Sequence, residues 1–130
     1  CVDIAIDRTL NILRLVYAGP DLIERVSYNN AEDWTGEEVI ISGAKYGAIM
    51  SDRMPTYFGV LDDGTVKIHR DGVTWTPKDS SGNSLLLEGG FGVDREDLGS
   101  SRWLLHGIVK DTTDSKVWAS SDEGETWEEI

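Results

Sequence analysis

The sequence predicts an all-β chain built from three consecutive four-stranded antiparallel units. Three observations predict it. Short runs rich in Val, Ile, Leu, Tyr and Trp are separated by turn signals about every 8–12 residues. No stretch sustains a helical period. Tryptophans that close similar groups of strands, Trp34, Trp75 and Trp127, recur 41 and 52 residues apart.

The elements follow in order. Val2, Ile4 and Ile6 alternate with Asp3, Ala5 and Asp7, the period-2 pattern of a strand with one buried face. Residues 12–17 form a second strand, closed by Gly19-Pro20, and residues 22–27 a third; residues 28–33 then turn the chain into a short fourth strand at Trp34. The second unit places strands at 44–50, 56–61, 66–69 and 74–76, with Asp62-Asp63-Gly64 between its second and third strands; Asp-Gly is a strong local hairpin signal. The third unit places strands at 85–91, 103–109, 116–119 and 126–127. The chain is therefore expected to be one array without a linker, divided at about residues 1–35, 36–77 and 78–130.

The sharpest motif is Ser120-Ser121-Asp122-Glu123-Gly124-Glu125-Thr126-Trp127. Short Ser and Asp oxygens accept backbone N–H groups within a turn, Gly supplies a residue with φ > 0, and Trp fills an apolar layer. A second copy at 27–34 keeps Ser27 and Trp34, replaces the aspartate by Asn29 and puts Ala31 where glycine belongs. The middle copy, His69 to Trp75, lacks the first serine; it keeps Gly72, Thr74 and Trp75 but has Asp71 directly before the glycine, as though one residue were lost. The motif resembles the Asp box, Ser-x-Asp-x-Gly-x-Thr-Trp, of sialidases and many other β-propellers. The resemblance extends over the whole chain and implies three blades of a β-propeller, closed by further blades of a parent chain or by oligomerisation, since a ring takes about four to eight.

In that family the box is a structural outer hairpin, so Ser27, Asn29, Asp71, Ser120 and Asp122 are expected to form turns. Trp34, Trp75 and Trp127 are expected between blades, and Trp103 and Trp118 in strand cores. Arg53-Met54-Pro55 resembles the Arg-Ile-Pro element whose arginine binds a substrate carboxylate in sialidases; a planar guanidinium suits that task. Met stands for Ile, and the partner arginines, the Tyr-Glu nucleophile pair and the acidic catalyst are not identifiable. Arg53 is thus the one weak substrate-binding candidate, and an ordinary surface arginine is favoured over it.

Composition narrows the classes further. Twelve Lys and Arg against 24 Asp and Glu give a formal charge of −12, which repels phosphate backbones and anionic headgroups, so neither nucleic acid nor membrane is an expected partner. No apolar run approaches the roughly 18 residues that cross a bilayer, and no targeting leader is recognisable. Cys1, the single cysteine, permits no internal disulfide and leaves the redox compartment open. Its position suggests a processed product or a piece of something longer, in preference to a lipid-anchored N-terminus. No hydrolase elbow, metalloprotease helix or phosphate loop is present, and His69 and His106 fall in separate predicted strands. Calcium on an acidic loop at Asp94 to Asp97 lacks EF-hand spacing, and neither metal nor cofactor is expected.

The function expected from these readings is a non-enzymatic binding or structural module presenting a glycan- or protein-recognising surface. The resemblance implies a secreted or virion-associated setting. The alternatives are a fragment of a sialidase-like or other Asp-box glycoside hydrolase, and an assembly factor that binds another protein.

Overall fold

The computed structural model describes residues 2–7, 12–98 and 100–130, and these are all-β, with thirteen strands and no helix. Cys1 and the side chains of Val2, Ile4 and Ile6 lie outside what is described. The first sheet runs β1 (Val2–Asp7), β2 (Ile12–Ala18), β3 (Leu22–Ser27) and β4 (Glu38–Ile41) in spatial order. The second runs β5 (Ala44–Asp52), β6 (Met54–Leu61), β7 (Val66–Arg70) and β8 (Val73–Trp75). Both are antiparallel meanders. The remaining strands are β9 (Lys78–Asp79), β10 (Leu87–Leu98), β11 (Ser100–Val109), β12 (Ser115–Ser120) and β13 (Thr126–Glu129), and the third sheet is ordered β10-β11-β12-β13-β9.

Three details correct the sequence reading. The third sheet is neither four-stranded nor wholly antiparallel, because β9 joins β13 in parallel, Lys78 opposite Thr126 and Asp79 opposite Trp127. Asp79 makes this short strand possible by closing the following turn, its Oδ1 accepting the Ser81 and Asn83 N–H groups at 2.9 Å each. The fourth strand of the first sheet is β4, not a strand at Trp34, so that sheet continues to Ile41 rather than ending near residue 35. The Thr35 hydroxyl accepts the Val26 N–H at 2.9 Å, replacing a ladder carbonyl, and regular pairing resumes only after Gly36 and Glu37. Finally, Asp94 to Asp97 is no acidic loop. It lies in β10 opposite residues 101–104, because Phe91, Val93 and Arg95 alternate inward with the more exposed Gly92 and Asp94.

Two apolar layers hold the sheets together. Val16, Leu22, Ile41, Ala44, Ile49 and Tyr57 fill the space between the first and second sheets. A larger layer joins the second to the third, with Met50, Phe58, Val60, Val66 and Ile68 meeting Leu85, Leu87, Trp103, Leu105, Trp118 and Trp127. Phe58 takes the edge-to-face geometry that aromatic quadrupoles prefer, 6.3 Å from both Trp103 and Trp127. The first strands lie side by side, β5 packing against both β1 and β10. Backbone bonds also join the last two sheets: Leu87 N–H donates to Gly64 O at 2.8 Å and Val66 N–H to Leu85 O at 3.3 Å.

Candidate binding cleft between the second and third sheets

The hairpins at Ser27–Trp34 and Ser120–Trp127 are built as the chemistry of the motif suggests. In the third sheet the Ser120 hydroxyl donates to Asp122 Oδ1 at 2.8 Å and accepts the Gly124 N–H at 2.9 Å. Asp122 Oδ1 accepts the Thr126 N–H at 2.9 Å, and the Thr126 hydroxyl donates to Oδ2. Gly124 is required twice over: its φ is +89°, and a Cβ there would stand 2.6 Å from the Trp103 ring. The first hairpin repeats the scheme, with Ala31 N–H on Ser27 Oγ and Asp33 N–H on Asn29 Oδ1, both at 2.9 Å. The last bond is reversed. The Asn29 amide donates to Asp33 Oδ2 at 2.8 Å, so Asn for Asp and Asp for Thr form a compensating pair. Ala31 holds the left-handed conformation, at φ +70°, against the preference of a residue with a Cβ.

Burial pushes the Asp122 carboxyl up, but the hydrogen bonds from Thr126 and Ser120 outweigh it and hold the group below its ordinary range. Asp122→Ala is expected to destabilise the chain by about 1–2 kcal/mol through the lost turn bonds, measured by denaturant unfolding.

The middle hairpin departs from the other two. Ile68, His69 and Arg70 pair with Trp75, Thr74 and Val73, leaving only Asp71 and Gly72 in the turn, at φ +51° and +75°. This is the two-residue turn with both central residues at positive φ. Asp71 is therefore at the apex and does not do the work of Asp122; Thr74 Oγ1 bonds the His69 ring instead, at 2.7 Å. The shorter turn directs Trp75, with Ile68, toward the third sheet. There its indole N–H donates to Gly124 O at 3.0 Å, the carbonyl that also accepts the Trp127 indole at 2.9 Å.

The two hairpins and the β5–β6 turn enclose a cleft of about 490 Å³. Arg53 and Met54 come from that turn, Arg70, Asp71, Val73 and Trp75 from the middle hairpin, and Asp122, Glu123 and Glu125 from the box. Arg53 is the single residue linking the paired Asp52 and Met54 and is held at φ +63°, a conformation in which glycine would be easier. Its side chain is 70% exposed and donates to Glu123 Oε1 at 2.8 Å, with its Nε 3.7 Å from Asp52.

Beneath the cleft lies a buried polar cluster. Asp52, 2% exposed, accepts Arg95 Nη1 and Trp103 Nε1 on separate oxygens, each at 2.7 Å. Arg70, 8% exposed, donates to Thr56 Oγ1 at 2.6 Å and lies 5.2 Å from the centre of the Trp103 ring. Burial raises the Asp52 pKa, while the Trp103 and Arg95 hydrogen bonds and the nearby guanidinium charges lower it further, so it stays below the usual carboxylate range.

The structure thus brings Arg53, Asp71, Trp75 and Asp122 together and keeps Ser27, Asn29 and Trp34 in the distant first hairpin. Trp103, Trp118 and Trp127 are core residues, at 7% exposure or less; Trp34 and Trp75 are half-buried, and Trp75 packs against the apolar layer between the second and third sheets. A tyrosine–glutamate contact that the sequence conceals also emerges: the Tyr57 hydroxyl donates to Glu24, which Arg14 also bonds at 3.3 Å. Burial, then Glu24, pushes the Tyr57 pKa upward. Both residues are at most 6% exposed, so the pair braces the first two sheets, away from solvent. Among the described residues no group of three metal-binding side chains occurs, and no helix is long and apolar enough to cross a membrane. Comparison with protein-family models, with characterised proteins and with solved structures finds no match.

Proposed function

We propose that the chain is a non-enzymatic recognition module, its three sheets acting as propeller blades, and that it binds a neutral glycan in the cleft at Trp75. The lining of that cleft carries the reading. The half-buried Trp75 indole lines the cleft and can offer its open part to the apolar C–H surface of a sugar. Asp71 and Glu125 carboxylates, which make no side-chain hydrogen bond or ion pair among the described residues, can accept from sugar hydroxyls. The packing of β5 between β1 and β10 supports the radial arrangement.

A sialic acid fits less well. Arg53 is already engaged by Glu123 and Asp52, and four carboxylates line the same cleft, so a ligand carboxylate meets net repulsion. Hydrolysis would need an acid and a base or nucleophile set across a glycosidic bond. Asp122 is committed to its turn, and Glu24 and Tyr57 are buried between sheets. The secreted or virion setting rests on the motif resemblance alone.

The test is a panel of neutral and sialylated oligosaccharides, scored for binding and for turnover with wild type, Trp75→Ala and Arg53→Gly. Neutral glycans are expected to bind without cleavage. Trp75→Ala should weaken binding by at least about tenfold, corresponding to loss of a stacking contact of roughly 1.4 kcal/mol. Arg53→Gly should fold as stably as wild type, because it relieves a positive-φ side chain. Turnover that disappears in Arg53→Gly would replace this reading with a hydrolase.

A further inference from the structure

Two aspartates of the chain precede a glycine, Asp63 and Asp71, and the fold holds them very differently. An aspartyl-glycyl bond carries its own chemistry. The glycine's backbone nitrogen can attack the aspartate's side-chain carboxyl carbon and close a five-membered imide, because glycine has no Cβ to obstruct the approach. In a folded chain the rate depends on whether nitrogen and carboxyl are free and whether the backbone between them can turn.

At Asp63 both groups are held. The carboxyl Oδ1 accepts the Thr65 N–H at 3.0 Å, and the Gly64 N–H, the nitrogen that would attack, donates to Leu61 O at 2.9 Å. The third sheet clamps the same turn, Leu87 N–H donating to Gly64 O at 2.8 Å and Lys110 Nζ to Asp63 O. Gly64 is buried, and a Cβ on it would stand 2.8 Å from Leu87 O.

At Asp71 neither group is held. Among the described residues its carboxylate makes no side-chain hydrogen bond or ion pair, and the Gly72 N–H has no acceptor. Both residues are exposed, and nothing lies within 4 Å of where a Cβ on Gly72 would stand. Their turn leads into β8, a three-residue strand at the sheet edge that pairs only with β7. Few bonds therefore oppose the rotation that brings the Asp71 carboxyl carbon to the Gly72 nitrogen.

We infer that Asp71-Gly72 is a modification site at which the chain isomerises spontaneously to isoaspartate. The Gly72 nitrogen bonds to Asp71 Cγ, and a carboxyl oxygen leaves as water with the amide proton and one proton from solvent. Water then adds back to the imide. Opening at the side-chain carbonyl restores aspartate, whereas opening at the main-chain carbonyl leaves the chain running through Cβ and Cγ. No atom is gained overall, but the main chain becomes one atom longer inside a two-residue turn. The pairing of His69 with Thr74 and of Ile68 with Trp75 depends on that turn, so the Trp75 indole should lose its bond to Gly124 O.

The experiment incubates the full chain at neutral pH and physiological temperature in water enriched in heavy oxygen, so that each ring opening leaves a label. Digestion with trypsin in ordinary water separates the two sites, into residues 54–67 and 71–78, and fragmentation spectra distinguish isoaspartate from aspartate. In the folded chain, label and isoaspartate should accumulate at Asp71 at least about tenfold faster than at Asp63. In strong denaturant the two rates should converge. The isomerised chain, once separated, should show faster solvent exchange of the Trp75 indole N–H, with that of Trp127 unchanged. Equal rates at the two sites in the folded chain, faster reaction at Asp63, or a preference for Asp71 that persists in denaturant would each overturn the inference. Unchanged exchange at Trp75 would overturn the coupling of the turn to that indole. None of these outcomes depends on what the cleft binds.

Discussion

Replacing Trp127 with alanine is expected to destabilise the chain by about 3–5 kcal/mol, the range for removing a large aromatic side chain from a core. The side chain is fully buried. Its loss would empty the space beside Phe58, which meets it at an interplanar angle of 74°, and would remove one of the two indoles bonded to Gly124 O. No nearby group can close the void cheaply, because Trp103 and Gly124 are already in contact. Denaturant unfolding should show the loss as a lower midpoint with an unchanged slope. A near-neutral result would place the ring outside the layer between the second and third sheets.

Asp52→Ala should cost about 1–3 kcal/mol, by leaving the buried Trp103 indole N–H without its acceptor and removing the carboxylate that the half-buried Arg95 bonds. Asp52 accepts from both Arg95 and Trp103, and it also offsets the charge of the buried Arg70. Asp52→Asn keeps an acceptor without the charge and should fall between alanine and wild type. The depressed carboxyl pKa fixes the pH dependence. A carboxylate with a lower pKa in the folded state contributes stability that is fully present above its unfolded value, near 4, and lost as pH falls through the folded value. Wild type should therefore weaken on acidification below about pH 4, and Asp52→Asn should show a shallower decline. Parallel acid titrations of the two proteins, followed by circular dichroism, distinguish the cases; identical profiles would mean that Asp52 does not couple to folding.

Much of the strand pattern was legible because apolar alternation and turn residues are local properties. The three meanders, the box hairpin at Ser120 to Trp127 and the core positions of Trp103 and Trp118 follow from them. Trp34 misled because its box closes on Thr35 and only then yields to β4, a delay set by a hydroxyl standing in for a carbonyl. Asp94 to Asp97 misled because charge masked a period-2 pattern in which Arg95 points inward to meet Asp52, 43 residues away. The cleft was hidden for a related reason. Arg53, Trp75 and Glu123 stand far apart in sequence, and the face on which Trp75 lies depends on how many residues pair around Asp71 and Gly72. Motif matching aligns Trp75 with Trp127, whereas the shorter hairpin brings it to the third sheet.

Recognition at the Trp75 cleft can be read from nuclear magnetic resonance of the five tryptophan indole N–H groups during titration with a neutral oligosaccharide. The Trp75 indole signal is expected to shift in a saturable manner, while those of the buried Trp103 and Trp127 stay near their starting positions. The bound sugar should remain uncleaved. A saturable shift confined to Trp34, or binding that leaves the Trp75 signal unmoved, would contradict the assignment of the cleft.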